Sequence, residues 1–294
     1  MINTHILKAE FEYLAPRSLA EALDLLDKFG ADSKIIAGGT DLLVLMKKEI
    51  ATPAHLINIS RIPGLSLIRE DEGWLRIGAA ARWSDIVRYC ASRRQYAALA
   101  EAASSIGKVQ VRNMATIGGN LCTASPAADS APALLALGSQ VKLVGAGRER
   151  TLFLEDFFEG VRKTALGPKE IMTEVLIPPV PKDTGSAFAK ITRVGVDISK
   201  ISCAVSVSRQ GFRCISCRIA MGAVAPTPLR IKGAEETAAG KEVSAALLED
   251  IGRKVAGEIK PITDIRSTAE YRRAVAGVLA GDVFGKAWRR AEEQ

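Results

Sequence analysis

The architecture of this chain can be read from one short stretch, Lys34-Ile35-Ile36-Ala37-Gly38-Gly39-Thr40-Asp41-Leu42-Leu43. Its apolar start, residues 34–37, predicts a buried strand, and the apolar residues 42–46 predict a helix. The glycine pair between them permits a turn with positive φ and leaves the backbone open to close approach. The first turn of the helix would offer unpaired N–H groups to a phosphate. A tight turn that only connects the two elements is the alternative, because Gly-rich turns are common.

An α/β unit over residues 1–60 is predicted around this stretch. Ser18 and Glu21 form a capping box ahead of an apolar helical face, and Gly30 is placed to end that helix. Residues 56–59 predict a further buried strand. Strands and helices that alternate in this way indicate an α/β arrangement.

A second α/β unit is predicted over residues 61–177. Its expected elements are hairpins over 66–77 and 141–154, helices over 85–91, 95–105 and 131–137, and a strand over 170–177. The segment 107–129 carries few regular signals. A loop of this length inside a compact domain is unusual and is often functional.

A proline-rich segment, Pro178-Pro179-Val180-Pro181, predicts a linker, because it can continue neither a strand nor a helix. The elements expected after it are three antiparallel strands over 187–192, 201–208 and 212–221, then helices over 243–259 and 269–287, the second capped by Ser267. The chain is therefore predicted to be an α+β protein. One domain would cover residues 1–177 and a smaller sheet-plus-helices domain residues 178–294.

A second glycine pair lies within the irregular segment, in Thr116-Ile117-Gly118-Gly119-Asn120. It would combine bare backbone donors with a hydroxyl and an amide group. Asp129 follows, and its carboxylate can either accept from sugar hydroxyls or cap the next helix. Two Gly-Gly turns with hydroxyl residues in one domain favour a diphosphate ligand.

Composition and missing motifs exclude several classes of protein. The chain has 294 residues, of which 48% are apolar and 25% charged, as in ordinary globular proteins. Its net charge of +7 comes from basic residues interleaved with acidic ones, which argues against nucleic-acid binding and suits an anionic cofactor or an acidic partner. The sequence has no G-x-G-x-x-G, G-x-x-x-x-G-K-[ST] or G-x-S-x-G motif, so neither a Rossmann site, a P-loop nor a hydrolase elbow is indicated.

The cysteines and histidines do not predict a metal site. The chain has 5 scattered Cys and 2 His. Cys214 and Cys217 form a lone C-x-x-C in a predicted strand, where residues three apart face opposite sides, so a structural role is expected. The absence of a secretory signal and of a membrane-length apolar run favours a reduced, cytoplasmic chain without a membrane span.

The two glycine motifs together resemble those of a known family. Residues 36–43 resemble the first FAD-diphosphate loop of the FAD-binding subunits of molybdenum hydroxylases, such as xanthine dehydrogenase and carbon monoxide dehydrogenase. Residues 115–121, with Ala124-Ser125-Pro126 and Asp129, resemble the second. Segments 222–230 and 264–273 resemble the family's C-terminal domain. The resemblance implies a PCMH-type FAD-binding domain of two α/β subdomains, followed by the smaller domain.

The resemblance also assigns residues to the FAD. Gly38, Gly39 and Thr40 would donate to the diphosphate. Thr116, Gly119 and Asn120 would hold it from the other side, and Asp129 would bind the sugar or ribityl hydroxyls. The full set implied to bind the cofactor is Ile35, Ile36, Ala37, Gly38, Gly39, Thr40, Asp41, Leu42, Ile106, Thr116, Gly119, Asn120, Asp129, Met172 and Lys190.

Four of these positions bear on the flavin ring and on the branch of the family. Met172 corresponds to an apolar position near the adenine or flavin, and Lys190 lies near the position of a residue beside the flavin ring. Ile106 stands where xanthine dehydrogenases have an aromatic residue against the isoalloxazine. Thr40 stands where carbon monoxide dehydrogenases typically have His, which favours the xanthine or aromatic-hydroxylase branch.

The family implies an electron-transfer subunit rather than a chain with catalytic residues of its own. Electrons would pass from [2Fe-2S] clusters through FAD to NAD⁺ or another acceptor, while the molybdenum cofactor oxidises the substrate. Because the chain shows neither iron–sulfur cysteine spacing nor a molybdenum-cofactor region, the expected partners are a large molybdenum-cofactor subunit and a small [2Fe-2S] subunit, in a dimer of heterotrimers.

Two other functions are open at this point. One is a non-enzymatic nucleotide-binding module docked on an acidic partner. The other is a stand-alone FAD oxidoreductase of the UDP-N-acetylenolpyruvoylglucosamine reductase type. That chemistry needs an acid, and no Ser or Glu is placed by motif to supply it.

Overall fold

The computed structural model describes residues 7–293, whose strands form four sheets. The strands are β1 (Glu12–Leu14), β2 (Ser33–Ile36), β3 (His55–Asn58), β4 (Ile68–Asp71), β5 (Trp74–Gly78), β6 (Gln140–Gly145), β7 (Arg148–Phe153), β8 (Phe158–Gly160), β9 (Lys163–Thr164), β10 (Glu170–Ile177), β11 (Thr184–Ile191), β12 (Ile201–Gln210), β13 (Arg213–Gly222) and β14 (Leu229–Arg230). The helices are α1 (Leu19–Phe29), α2 (Leu42–Lys47), α3 (Trp83–Cys90), α4 (Ala97–Ser105), α5 (Val109–Arg112), α6 (Ile117–Thr123), α7 (Ser130–Ala136), α8 (Leu154–Phe157), α9 (Lys232–Ala238), α10 (Ala245–Glu258) and α11 (Ala269–Glu292). This mixture is the α+β class that the sequence predicts.

The first sheet is parallel, in the order β1-β3-β2, and α1 packs against it. Helix α1 begins as predicted, because the Ser18 hydroxyl accepts from the backbone N–H of Glu21 at 3.1 Å. It ends at Gly30, which has a φ of +49°. Ala22 and Leu26 are the buried residues of this helix, and they join Ile57 in one apolar cluster. The sheet therefore holds β2, and with it the first glycine pair, in a fixed place.

The second sheet is antiparallel, in the order β4-β5-β10-β6-β7. Its central strand β10 carries Ile171 and Met172, which belong to different apolar clusters. Successive side chains of a strand face opposite sides of the sheet. Thus β10 joins the cluster under α1 to the larger core formed with α3, α4, α6 and α7.

The third sheet is antiparallel and has four strands, in the order β11-β12-β13-β14. The sequence predicts three, because the two-residue β14 is too short to leave a pattern. Helices α10 and α11 cover one face of the sheet, and α4 and α7 contact the other side of the unit. The two long helices meet at glycines, where a Cβ on Gly277 would lie 2.7 Å from the carbonyl oxygen of Gly252.

Several local predictions need correction. The segment 107–129 contains two short helices, α5 and α6, so Gly118 and Gly119 lie in a helical turn and not in a loop. The cap of α11 is Thr268, whose hydroxyl accepts from the N–H of Tyr271 at 3.1 Å, and not Ser267. Helices α8 and α9 and the small β8–β9 sheet were not predicted. Short elements and helices that contain glycine have a low intrinsic propensity for secondary structure, so tertiary contacts determine whether they form.

The two cysteines of the C-x-x-C face the same side of β13, against the prediction. Cys214 pairs with Arg209 and Ser216 with Ser208, which leaves Ile215 without a partner in the register. Such a bulge shifts the alternation of side chains by one residue. Both cysteines therefore pack against the core beneath α10 and α11, as expected for a structural role.

Among the residues that the structure describes, no helix is long and apolar enough to cross a membrane.

Candidate functional site

The first glycine pair makes a turn that only glycine can form. A Cβ on Gly38 would lie 2.0 Å from the carbonyl oxygen of Met114, closer than any real contact. Gly39 has a φ of +70°, in the left-handed region that favours glycine. The turn therefore places the backbone after β2 directly against the segment before α6.

The backbone N–H groups of this turn are free to bind a ligand. Those of Gly38, Gly39, Thr40 and Asp41 meet no hydrogen-bond acceptor within residues 7–293. Asp41 stands at the start of α2 without capping it through its side chain. Unpaired donors at a helix start attract anions. The turn is thus suited to a phosphate or diphosphate.

The two glycine motifs meet in space. Besides the contact between Gly38 and Met114, the Thr123 hydroxyl at the end of α6 donates to the Asp41 carboxylate at 3.4 Å. The first turn therefore runs beside α6, and Asp41 and Thr123, which are 82 positions apart in the sequence, lie on one surface. We call the surface lined by the turn 38–41 and α6 the cleft. Met114 and Thr123 were not among the predicted site residues, and no local signal marks either of them.

The second glycine pair does not offer two bare amides, as the sequence had suggested. The N–H of Gly118 donates to the carbonyl of Ala79 at 2.8 Å, and the N–H of Gly119 to the hydroxyl of Thr116 at 3.2 Å. Thr116 is the N-cap of α6. A Cβ on Gly118 would lie 2.7 Å from Ala79, so this glycine serves close helix packing. Gly119 is exposed on the surface of the helix.

Asp129, at the start of α7, and Lys190, near the end of β11, form a buried ion pair. The Lys190 ammonium lies 2.7 Å from the Asp129 carboxylate, and each side chain is 9% exposed. Lys190 also donates to the carbonyls of Ser105 and Asp197, at 3.0 and 3.3 Å. Ser199 donates to the other oxygen of Asp129. Asp129 makes no capping bond to α7, so the capping alternative is excluded.

Helix α6 connects this ion pair to the glycine turn. The side chain of Asn120 accepts a hydrogen bond from the Ser130 hydroxyl, next to Asp129. At its end, α6 reaches Asp41 through Thr123. One helix therefore links amide donors at one end of the cleft to a lysine and a carboxylate at the other.

The remaining predicted residues lie in three different places. Ile106 is partly buried directly after Ser105, whose carbonyl binds Lys190, and its own carbonyl accepts from Arg112 at 3.1 Å. Met172 is 3% exposed and pairs in register with Leu143 inside the second sheet, so it lies in the core and not on the cleft surface. The residues that complete β2 and the start of α2 pack around Met46 and the first sheet: Ile35, Ile36, Ala37 and Leu42.

The cleft fits the dinucleotide FAD by the chemistry of its donors. Four unpaired amides and the Thr40 hydroxyl suit a diphosphate, and the glycines leave no side chain over them. Farther along, Ser105, Asp129 and Ser199 are hydrogen-bonded to one another, and Lys190 joins them, so this polar cluster borders the site. Of the predicted residues, the cleft brings together the turn 38–41, the residues of α6 and the Asp129–Lys190 pair.

Comparison with known proteins identifies relatives along nearly the whole chain. The model of the FAD binding domain in molybdopterin dehydrogenase matches residues 9–180, and the model of the CO dehydrogenase flavoprotein C-terminal domain matches residues 186–287. The carbon monoxide dehydrogenase medium chain of Hydrogenophaga pseudoflava is 35% identical over 285 residues, 97% of this chain and 99% of that protein.

One further relative and one solved structure extend this result. The xanthine dehydrogenase FAD-binding subunit of Escherichia coli O157:H7 is 32% identical over 280 residues, 94% of this chain and 95% of that protein. A solved structure of the Hydrogenophaga pseudoflava carbon monoxide dehydrogenase, which lacks the Mo-pyranopterin moiety of its molybdenum cofactor, superimposes with a TM-score of 0.92 at 36% identity. That match covers 97% of this chain and 99% of the other.

Proposed function

We propose that this chain, which belongs to the family of FAD-binding subunits of molybdenum hydroxylases, holds FAD along the cleft between the turn 38–41, α6 and the Asp129–Lys190 pair. The chain is a subunit of an oxidoreductase and carries a PCMH-type FAD-binding domain. The observation that supports the placement best is the contact between Gly38 and Met114, which exposes a row of free amides along the cleft. We propose 1–177 as the extent of the FAD-binding domain and 178–294 as that of the C-terminal domain.

Each part of the cleft has a proposed role toward the cofactor. The amides of Gly38, Gly39 and Thr40 bind the diphosphate, and the exposed Gly119 lets it approach α6. Asp129 and Lys190 bind the hydroxyl and ring portions farther along. FAD, when bound, accepts electrons singly and releases them in pairs, so the chain has only to bind, orient and shield it.

The structure favours different roles toward the cofactor for Ile106 and Met172. Ile106 follows the Ser105 carbonyl that binds Lys190, which favours a place beside the flavin ring. Met172 lies in the core, which favours an indirect role, as packing beneath the site.

The partners and the electron acceptor are proposed from the relatives. Proteins of this kind are the medium or FAD subunits of multi-subunit enzymes. We expect a large molybdenum-cofactor subunit and a small [2Fe-2S] subunit in a cytoplasmic dimer of heterotrimers, with NAD⁺ or another acceptor taking the electrons from FAD. Relatives from the carbon monoxide and xanthine branches match at 35% and 32% identity, so the preference for the xanthine branch rests on Thr40 alone.

The test is cofactor binding by the purified chain. We expect a yellow protein that releases FAD, and not FMN, on denaturation. If it is purified without cofactor, it should take up added FAD in a 1:1 ratio. A folded chain that contains no FAD when purified and takes up no added FAD would contradict the proposal. Isolation of the native complex with molybdenum and iron in fixed proportion would test the partners separately.

A further inference from the structure

A second pocket, of about 420 Å³, lies between the proline linker and the sheet β11–β13. It is separate from the FAD cleft. Thr184 in this pocket and Lys190 in the cleft stand near opposite ends of β11, and six residues of strand span about 20 Å. Its lining residues are of two kinds, an apolar wall of Leu137 and residues 178–181, and a more polar floor of Thr184, Ser206, Ser208, Ser216, Cys217, Arg218 and Arg230.

The polar floor follows from the strand register. Thr184 pairs with Ser208, and Ser208 with Ser216, so these three form one row across β11, β12 and β13. In the next row Ser206 pairs with Arg218. Cross-strand neighbours share one face of a sheet. The third sheet therefore turns hydroxyls and a guanidinium toward the linker. Thr184 and Ser206 are buried at the base of the pocket, whereas Ser216 and Arg218 are exposed at its open side.

Arg218 has no ionic partner in the part of the chain that the structure describes. Its guanidinium takes part in no salt bridge or hydrogen bond there, whereas the neighbouring Arg230 binds Glu235 and Glu155 at 2.6 and 3.3 Å. Partial burial and the charge of Arg230 lower the pKa of Arg218, although Glu235 and Glu155 oppose this. With Lys232 beside Glu155, the local charges sum to one excess positive charge.

A role for Arg218 as a helix cap does not explain its position. The guanidinium lies over Gly138, where a Cβ would be 2.9 Å from its central carbon, just after α7. However, the carbonyls of Leu134 and Leu135 near the end of α7 already accept from Ser139 and Gly138, and among the described residues no hydrogen bond joins Arg218 to the helix. The absence of a side chain at Gly138 makes room for the guanidinium at the mouth of the pocket.

We propose that this pocket binds a small molecule that carries an oxyanion. Arg218 and the hydroxyls of Ser206 and Ser216 bind the oxyanion, while Leu137 and the proline linker contact the apolar part. A planar guanidinium matches both carboxylate and phosphate oxygens. The hydroxyls of Ser206 and Ser216 make no bond within residues 7–293 and are available as donors.

The proposal is tested by calorimetry on the full chain in low-salt buffer, with inorganic phosphate, benzoate and uncharged benzamide as probes. We expect saturable binding of at least one anion and none of benzamide. Arg218→Gln should raise Kd at least about tenfold, as expected for loss of a charge-assisted hydrogen bond. Arg213→Gln is the matched control, because Arg213 lies on the same strand but contacts Gly240, outside the pocket, and it should keep the wild-type Kd.

The outcomes separate the two ligand chemistries. Binding of phosphate alone supports a phosphate site, and binding of benzoate alone supports a carboxylate site. No anion binding to the wild type, equal affinity for benzamide, or an unchanged Kd in Arg218→Gln would overturn the proposal. If that variant fails to fold, Ser206→Ala decides, with an expected loss of a few-fold in affinity and unchanged stability.

Discussion

Asp129 and Lys190 are 61 residues apart in the sequence, yet their charged groups lie 2.7 Å apart in a site where each side chain is 9% exposed. The pair joins the start of α7 to the end of β11. Because both charges are buried, each depends on the other for its stability. The ion pair therefore ties the C-terminal sheet to the region that carries the FAD cleft.

Removal of the lysine should leave a buried, uncompensated carboxylate. We expect Lys190→Met to lower the free energy of unfolding by about 3–5 kcal/mol and to weaken FAD retention. Lys182→Met is the control, since Lys182 is exposed at the start of the same sheet. Denaturant unfolding and the flavin-to-protein absorbance ratio measure the two effects. Equal stability of the two variants would show that the pair is not a buried connection.

Because Gly38 packs closely against the Met114 carbonyl, adding one methyl group at this position should disturb both cofactor binding and stability. Gly38→Ala would bring a Cβ to 2.0 Å from the Met114 oxygen, so the turn has to move away from α6. We expect loss of bound FAD together with a destabilisation of about 1–3 kcal/mol. Gly257→Ala, in the exposed face of α10 with nothing within 4 Å, should keep its flavin and should not be destabilised, because alanine favours the helix. Full flavin content in Gly38→Ala would contradict the placement of the diphosphate.

Gly119 separates cofactor binding from folding. Its Cβ would meet only the Thr116 hydroxyl, at 3.0 Å, and the residue is exposed on α6. Gly119→Val should therefore stay folded but lose flavin, because the side chain would occupy the cleft. Its pressure on the Thr116 cap should cost no more than about 1 kcal/mol of stability. Gly257→Val is the same change in a helix away from the cleft. If Gly119→Val retains flavin to the same degree as this control, α6 does not line the cofactor.

Asp264 predicts a pH-dependent contribution to stability. Burial would raise its pKa, but hydrogen bonds from Arg272 and from the N–H groups of Arg266 and Ser267 outweigh burial and lower the pKa to about 2. A lowered folded-state pKa gives stabilisation that is complete above the unfolded value and lost as the pH falls toward 2.

Asp264→Asn should therefore be less stable than wild type at pH 7, by about 1 kcal/mol after allowance for partial exposure. Thermal unfolding measures this difference in stability as a difference in melting temperature, which should shrink as the pH falls from 5 to about 2. Asp85→Asn, which breaks an exposed pair with Arg88, should show a small difference throughout. A constant gap for Asp264→Asn would contradict the lowered pKa.

Two of the thiols, those of Cys90 and Cys122, should react slowly in the native chain. Burial raises the pKa of Cys90 and of Cys122 to about 12, so both stay protonated at pH 8. We expect slow alkylation of these two by iodoacetamide in the folded protein and rapid reaction of all five cysteines after unfolding. Peptide mass spectrometry at successive times measures this. Rapid native labelling of Cys122 would place an accessible thiol at α6.

The elements with strong local signals were predicted well. Helix α1, the strand before Gly38 and the hairpins β4–β5 and β6–β7 follow from a capping box, a glycine turn and alternating apolar residues. Helix α6 was not predicted, because its two glycines give it a low intrinsic helix propensity. Its stability comes from the Thr116 cap and from packing on Ala79, which lies 39 residues earlier in the chain.

By itself, the sequence determined the two glycine motifs, the order of the elements and the family they resemble, because these depend on neighbouring residues. The arrangement of the cleft was decided by the tertiary structure. The contact of Gly38 with Met114, the pairing of Asp129 with Lys190 and the bulge that turns Cys214 and Cys217 to one side are set by distant segments. Hydrogen bonds and burial between such segments have no local pattern, so only the assembled chain shows which amides stay free.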